Sequence, residues 1–249
     1  MEPYFEEVQS GKTLEEVIRQ IISSCVAALS YTETGINADD ITDFEPVKDN
    51  ICYKLVNKQL NSKLLAEVPY RDYHGLVIVY YFRYAAEKGI LTASITNSLA
   101  QMWDIDEEAL FTLATGNTPR LCRGIVLTLD NVLGSSKSLK TKPYAGFDFT
   151  CSETDILPMY VATNASKTYG AAVILYDGLL ETAAERLGSF YALPSSVHEF
   201  MFIPDTFGNV EDIKQMVQEI NAAEVPEEEV LSDNIYHYDS NAHELKIVV

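Results

Sequence analysis

The stretch "FYALPSSVHEFMFIPD", residues 190–205, decides the fold, because two aromatic and aliphatic runs flank Pro194, Ser195, Ser196, His198 and Glu199. Read as one continuous strand, it sets Ser196 and His198 on the same face with Cα atoms roughly 6.5 Å apart. Read as a hairpin, Pro194 breaks the ladder, the serine hydroxyls satisfy turn amides and His198 begins the second strand. The neighbouring segments favour the hairpin. Upstream, "MYVATN" and "AAVILY" flank the turn "ASKTYG" and predict another hairpin over 159–176. Asp177 then caps a helix whose Leu179, Leu180, Ala183, Ala184 and Leu187 share a face and whose Gly188 supplies the stop.

Downstream, Asn209 caps a second helix with Val210, Ile213, Met216, Val217 and Ile220 as its buried stripe. "PEEEVLSD" is a short helical turn opened by Pro226, and "NIYHYDSNAHELKIVV" reads as two strands around "DSNA". The order is strand-strand-helix-strand-strand-helix-strand-strand. Hairpins outnumber crossovers, so the expected class is α+β, a mainly antiparallel sheet built from hairpins with packed amphipathic helices.

The first half fits that class. An amphipathic helix spans Leu14 to Leu29, with Thr13 and Glu16 as its capping box, and a polar loop around Pro46 follows. "ICYKLVN" and "GLVIVYYFRYA" have strand composition, and "EKG" predicts a three-residue hairpin loop before "ILTASITN". "DEEALFTLATGN" is a helix capped by Asp106 and stopped by Pro119. Residues 134–158, rich in Ser, Lys, Thr, Gly and Pro, lack an apolar period and read as a linker or long loop. The expected division is therefore a lobe over 1–133, the linker, and a lobe over 159–249, as one unit or two closely packed lobes.

Charge narrows the partners. With 18 Lys+Arg against 37 Asp+Glu, the net charge is −19 and no compact basic block stands anywhere. Binding to nucleic acid or to an anionic membrane surface is disfavoured, whereas a basic protein partner suits this surface. The four cysteines form no CxxC pair; Cys25 and Cys52 lie in apolar stretches as buried thiols, and Cys151 falls on a predicted loop. The acidic start is not a secretory signal, and no window reaches 18 apolar residues, which points to a reduced, cytoplasmic protein.

Few residues present themselves for chemistry. Ser196 as nucleophile with His198 as base would make a serine-type hydrolase, but GxSxG is missing and triads draw their members from separate elements. The plainer reading makes Ser195, His198 and Glu199 turn residues or a binding surface. His198, Glu199, His237 and His243 could assemble around a metal, yet no HExxH or HxH organises them, and no metal or cofactor is expected. Lys167 lies in "NASKTYGA", which fails as a Walker loop and reads as a turn with a solvated lysine. Arg120, in "NTPRL", is a carboxylate clamp or a helix C-terminal cap. Glu107, Glu108 and Glu227 to Glu229 suit helix starts.

Three segments carry a resemblance: "TNASKTYGAAVILYDGLL" at 163–180, "LPSSVHE" at 193–199 and "NTPRL" at 117–121. Within a series spanning about residues 50 to 240, they resemble an uncharacterised bacterial family of unknown function from anaerobic, gut-associated species. The resemblance implies a cytosolic bacterial or phage-encoded setting and brings no catalytic residue or cofactor with it. It directs attention to these loops. The expectation is a non-enzymatic, soluble binding or regulatory protein with an acidic surface.

Overall fold

The computed structural model describes residues 42–86, 89–132, 140–151 and 159–248. The predicted helix over 14–29, with Thr13, Glu16 and Cys25, lies outside them. A four-stranded antiparallel sheet contains β1 (Ile51–Asn57), β2 (Tyr70–Tyr73), β3 (Leu76–Ala86) and β4 (Gly89–Ser94). The β-branched and aromatic run of β3 makes it the central strand: β1 pairs along one side, and β2 and then β4 pair along the other. Ala86 stands opposite Gly89, so the β3–β4 hairpin closes more tightly than the three-residue loop read from "EKG". Alternation sends Ile51, Tyr53, Leu55, Ile78, Tyr80 and Phe82 to the main core. Cys52, Val56, Val77, Val79 and Tyr81 take the opposite face.

Two short helices, α1 (Phe44–Val47) and α2 (Ser62–Leu65), flank β1, and α3 (Asn97–Met102) precedes α4 (Glu107–Leu121). Asp106 caps α4 as expected, its side chain accepting from the Ala109 N–H at 2.9 Å. Pro119, however, lies inside the helix rather than ending it. Its missing N–H falls in the last turn, where the Cys122 N–H still reaches the Thr118 carbonyl at 2.7 Å. The Tyr176 hydroxyl donates to the Cys122 carbonyl at 2.7 Å, securing the exit. The end of α4 also closes the outer edge of β1: Thr118 Oγ1 accepts from the Tyr53 N–H at 3.1 Å, and Asn117 Nδ2 donates to the Ile51 carbonyl at 3.1 Å.

The second sheet has eight strands in the order β12-β11-β9-β10-β8-β5-β7-β6. They are β5 (Gly124–Thr128), β6 (Lys140–Pro143), β7 (Phe147–Cys151), β8 (Tyr160–Asn164), β9 (Phe190–Ser196), β10 (Glu199–Pro204), β11 (Tyr236–Asp239) and β12 (Glu244–Ile247). Every pair is antiparallel except β5 with β7. The fold is α+β, with mainly antiparallel sheet. The expected divisions do not follow the sheets: β5 comes from the span 1–133, and β6 and β7 come from the span read as a linker. Cys151 ends β7 as a buried residue, not as part of an exposed loop. One cluster of buried side chains, from Val47 to Leu245, draws on both sheets.

The hairpin expected over 159–176 does not form. β8 already has β5 on one side and β10 on the other, so no edge remains for "AAVILY". Gly170–Leu175 instead forms a buried 3₁₀ stretch. In α6 (Leu179–Leu187) the N-cap is Gly178, at φ +74°, rather than Asp177, and Gly188 ends the helix at φ +70°. A short helix, α5 (Leu129–Val132), follows β5, and α7 (Val210–Glu224) follows β10 with its Asn209 cap as expected. Its buried line is Ile213, Val217 and Asn221, while Met216 and Ile220 are exposed. Asn221 sets this rotation by donating to the Ser232 carbonyl at 3.2 Å and to Asp233 at 2.8 Å. Among the described residues no helix is long and apolar enough to cross a membrane.

Candidate functional site

Two of the segments singled out in the sequence meet in space. Residues 190–205 form the β9–β10 hairpin, with Val197 and His198 at its turn and Glu199 opening β10. Pro194 stays within β9, opposite Phe200, and Ser195 is left over where the register shifts. Proline is tolerated there because, among the described residues, β11 pairs only with residues 190 to 192 and no strand pairs with Pro194 on that side. Ser195 Oγ donates to Glu199 at 3.4 Å, and Ser196 Oγ accepts from the His198 N–H at 3.1 Å.

Against this turn packs the loop that leaves β8. Lys167 and Tyr169 both adopt left-handed backbone, at φ +54°, a conformation that costs a non-glycine residue about 1–2 kcal/mol. Buried Asn164 holds the loop: its amide donates to the Thr168 carbonyl at 2.8 Å, and its oxygen accepts from the Ser166 hydroxyl at 2.9 Å. The Tyr169 N–H then donates to His198 Nδ1 at 3.1 Å, and the two rings stack with centroids 6.2 Å apart. Lys54 Nζ lies 4.1 Å from the centroid of the Tyr169 ring. His198 Nε2 faces Glu229 at 3.4 Å.

This geometry assigns the imidazole a fixed role. With Nδ1 accepting from an amide, the neutral ring carries its proton on Nε2, directed at Glu229. The Ser196 hydroxyl bonds the backbone of His198 and not its ring. The two residues thus meet through the His198 backbone, and His198 joins a hairpin turn to a strained loop. Truncating it leaves the Tyr169 amide without its acceptor, so His198→Ala should destabilise the fold by about 1–3 kcal/mol in urea denaturation. His198→Asn, which offers a side-chain acceptor on a shorter stem, should lose less.

The other expected site residues scatter. Lys167 is exposed on the loop, as a solvated turn lysine. Arg120 donates to the Asp49 carbonyl at 2.7 Å and to Asn117 at 3.1 Å, tying α4 to the chain before β1 rather than clamping a carboxylate. His237 pairs with Asp205 at 3.1 Å and His243 with the Tyr238 hydroxyl at 3.3 Å, so neither joins His198 and Glu199. Among the described residues no group of three His, Cys, Asp or Glu side chains is placed to hold a metal ion.

A second place went unread in the sequence. An open groove of about 470 Å³ runs between β2, α3 and the start of α4, with Leu65, Val68, Pro69, Tyr70, Ile105 and Glu107 among its walls. Arg71 on β2 grips Glu107 through two bonds, at 3.0 and 2.8 Å, and also bonds Glu108. Its guanidinium packs on the Phe111 ring at 3.9 Å. The buried Tyr80 hydroxyl donates to the same Glu107, and burial, reinforced by that carboxylate, pushes the phenol pKa well up. Glu107 is thus fixed in one rotamer at the groove wall. The sequence signal is slight: a strand of four residues, "YRDY", whose one cation sits beside an aspartate between two tyrosines.

No curated protein and no solved structure matches the chain. The model of a family of unknown function matches residues 1–240, a span that includes both the His198 junction and the groove. The chain belongs to that family, the family of unknown function DUF5688.

Proposed function

We propose that this is a non-enzymatic binding protein that takes an extended, basic segment of a protein partner into the groove between β2, α3 and α4. The observation that carries the reading is the groove's combination of an apolar floor, from Leu65, Val68, Pro69 and Ile105, with the fixed carboxylate of Glu107. Exposed acids stand on the adjoining residues: Glu67 before β2, Asp104 and Asp106 before α4, and Glu108 within it. Arg71, the cation beside them, is already held by two carboxylates.

The sheet edges support the same place. The edge of β1 is bonded by Thr118 and Asn117, and β6 carries Lys140, Lys142 and Pro143, residues that discourage strand addition. Among the described residues β2, like β4, pairs with β3 alone, so a segment lying in the groove beside β2 has backbone groups to meet as well as side chains. Lysine or arginine on that segment would reach the carboxylates.

A photo-crosslinking residue in place of Gln101, on the groove wall, tests the reading in lysate of the native cell. The expected product is a covalent adduct with a basic protein, its yield falling about tenfold as salt rises from roughly 50 mM to 500 mM. Ile105→Glu should abolish it in a folded chain. A yield indifferent to salt and to Ile105→Glu would overturn the proposal.

A further inference from the structure

Cys52 and Cys122 come from different elements and meet on the face of the first sheet turned away from the main core. Cys52 lies on β1 opposite Tyr81 of β3, and Cys122 is the residue that ends α4. Together with Tyr81 they form a small buried cluster, closed on the outside by partly exposed Leu121 and Tyr169. Both thiols lie inside that one cluster, and neither is in a disulfide. The Tyr81 hydroxyl stands 3.7 Å from Cys122 Sγ. Among the described residues no third ligand accompanies them, so a structural metal does not explain the pairing.

We propose that Cys52 and Cys122 are a reversible dithiol–disulfide site whose oxidant is a small hydroperoxide. The surroundings divide the labour between the sulfurs. Cys122 receives hydrogen bonds from Cys52 and Tyr81 and feels the positive charge of Arg83, which together favour its thiolate over burial's opposition. Cys52, held as the donor toward Cys122 and buried, keeps its proton and stays a thiol. Cys122 is then the attacking sulfur and Cys52 the resolving one.

The chemistry balances. The Cys122 thiolate attacks one peroxide oxygen, the O–O bond breaks, and hydroxide leaves as a sulfenic acid forms on Cys122. Hydroxide takes the Cys52 proton and becomes water. The Cys52 thiolate attacks the sulfenic sulfur, the S–O bond breaks, and the departing hydroxide is protonated to a second water. Two thiols lose two electrons and two protons, and the peroxide is reduced to two molecules of water or, for an organic hydroperoxide, to an alcohol and water.

The bond would fasten β1 to the end of α4. Its effect would reach the junction described above, because Tyr169 packs on this cluster while stacking on His198. Cys151 serves as an internal control: it is buried too, but its thiol faces the Lys140 carbonyl at 4.0 Å and no other cysteine among the described residues.

The test uses the reduced full chain, treated with hydrogen peroxide, alkylated in denaturant and mapped by peptide mass spectrometry. The expected product is a peptide pair joined through Cys52 and Cys122, lighter by two hydrogens and restored by dithiothreitol, with Cys151 still alkylated. In Cys52→Ala, dimedone should trap a sulfenic acid on Cys122; in Cys122→Ala, Cys52 should remain unmodified. Tyr81→Phe keeps both cysteines and should slow disulfide formation several-fold, which preserves the test if the cysteine variants fold poorly. Pairing that appears only in urea, oxidation of Cys151 as fast as Cys122, or thiols untouched by peroxide would each overturn the proposal.

Discussion

Gly170→Ala is expected to cost more than about 4 kcal/mol, or to prevent folding. A Cβ built at Gly170 falls well inside contact distance of Thr163 Oγ1 and of the His198 carbonyl oxygen, and lies 2.8 Å from the Asn164 amide nitrogen. Two of these three atoms are backbone. They belong to the end of β8 and the tip of the β9–β10 hairpin, which neither bend nor change rotamer to make room. The third, Thr163 Oγ1, donates to the same His198 carbonyl at 2.7 Å, so pushing it aside also breaks a partly buried hydrogen bond. Overpacking in a site with freedom to relax costs about 1–3 kcal/mol, and here the neighbours lack that freedom. Gly116 supplies the contrast, since it lies mid-helix in α4 with nothing within 4 Å of a built Cβ. Gly116→Ala should stabilise the fold by about 0.5–1 kcal/mol. Urea midpoints of the two variants, measured side by side, should move in opposite directions; a Gly170→Ala loss below about 1 kcal/mol would show that the loop and hairpin can separate.

What could be read in the sequence was what the chain decides locally. The hairpin at 190–205 declared itself through two strand-like runs and a polar turn, and the caps at Asp106, Asn209 and Gly188 through residue types that satisfy helix ends within a few residues. The larger failures share a cause in distance. "AAVILY" has the composition of a strand, and only the occupation of both edges of β8 by β5 and β10 denies it a ladder. Residues 140–143 have little apolar period because β6, at the sheet's rim, is exposed at all four positions. Met216 and Ile220 belong to the apolar period of α7, yet a buried amide, Asn221, with partners eleven and twelve residues on, sets the helix rotation.

The site obeyed the same rule. Ser196 and His198 stand out because they are close in sequence, and that closeness gives a bond from the His198 backbone N–H to the Ser196 hydroxyl. Arg71 and Glu107 make the stronger juxtaposition, but β3, β4 and α3 intervene between them, so nothing in either segment announces the other. Cys52 and Cys122 were likewise noted as cysteines without a motif. The resemblance-bearing loops proved informative in another way, since "TNASKTYG" and "LPSSVHE" contact each other through Tyr169 and His198.

Asn164 should prove the second most sensitive position, with Asn164→Ala costing about 2–4 kcal/mol in urea denaturation. Its side chain is almost wholly buried at the end of β8, where it substitutes for a backbone turn. The oxygen accepts from Ser166 Oγ at 2.9 Å and from the Thr168 N–H at 3.3 Å, while the amide donates to the Thr168 carbonyl at 2.8 Å. Alanine removes all three bonds, each worth about 0.5–1.5 kcal/mol net. The loop it releases contains two left-handed residues, Lys167 and Tyr169, which have reason to relax once the restraint is gone. Relaxation would withdraw the Tyr169 amide from His198, coupling the loss to the hairpin turn. Asn164→Asp separates hydrogen bonding from volume: it keeps the shape and the accepting oxygen but sets a second oxygen against the Thr168 carbonyl. It should therefore destabilise about as much as alanine at neutral pH and recover part of the loss in acid, where a protonated carboxyl can donate again. Ser166→Ala, which removes one bond from a half-exposed hydroxyl, should cost no more than about 1 kcal/mol. Combining Asn164→Ala with His198→Ala should cost less than the sum of the two, because both act through the same Tyr169 amide.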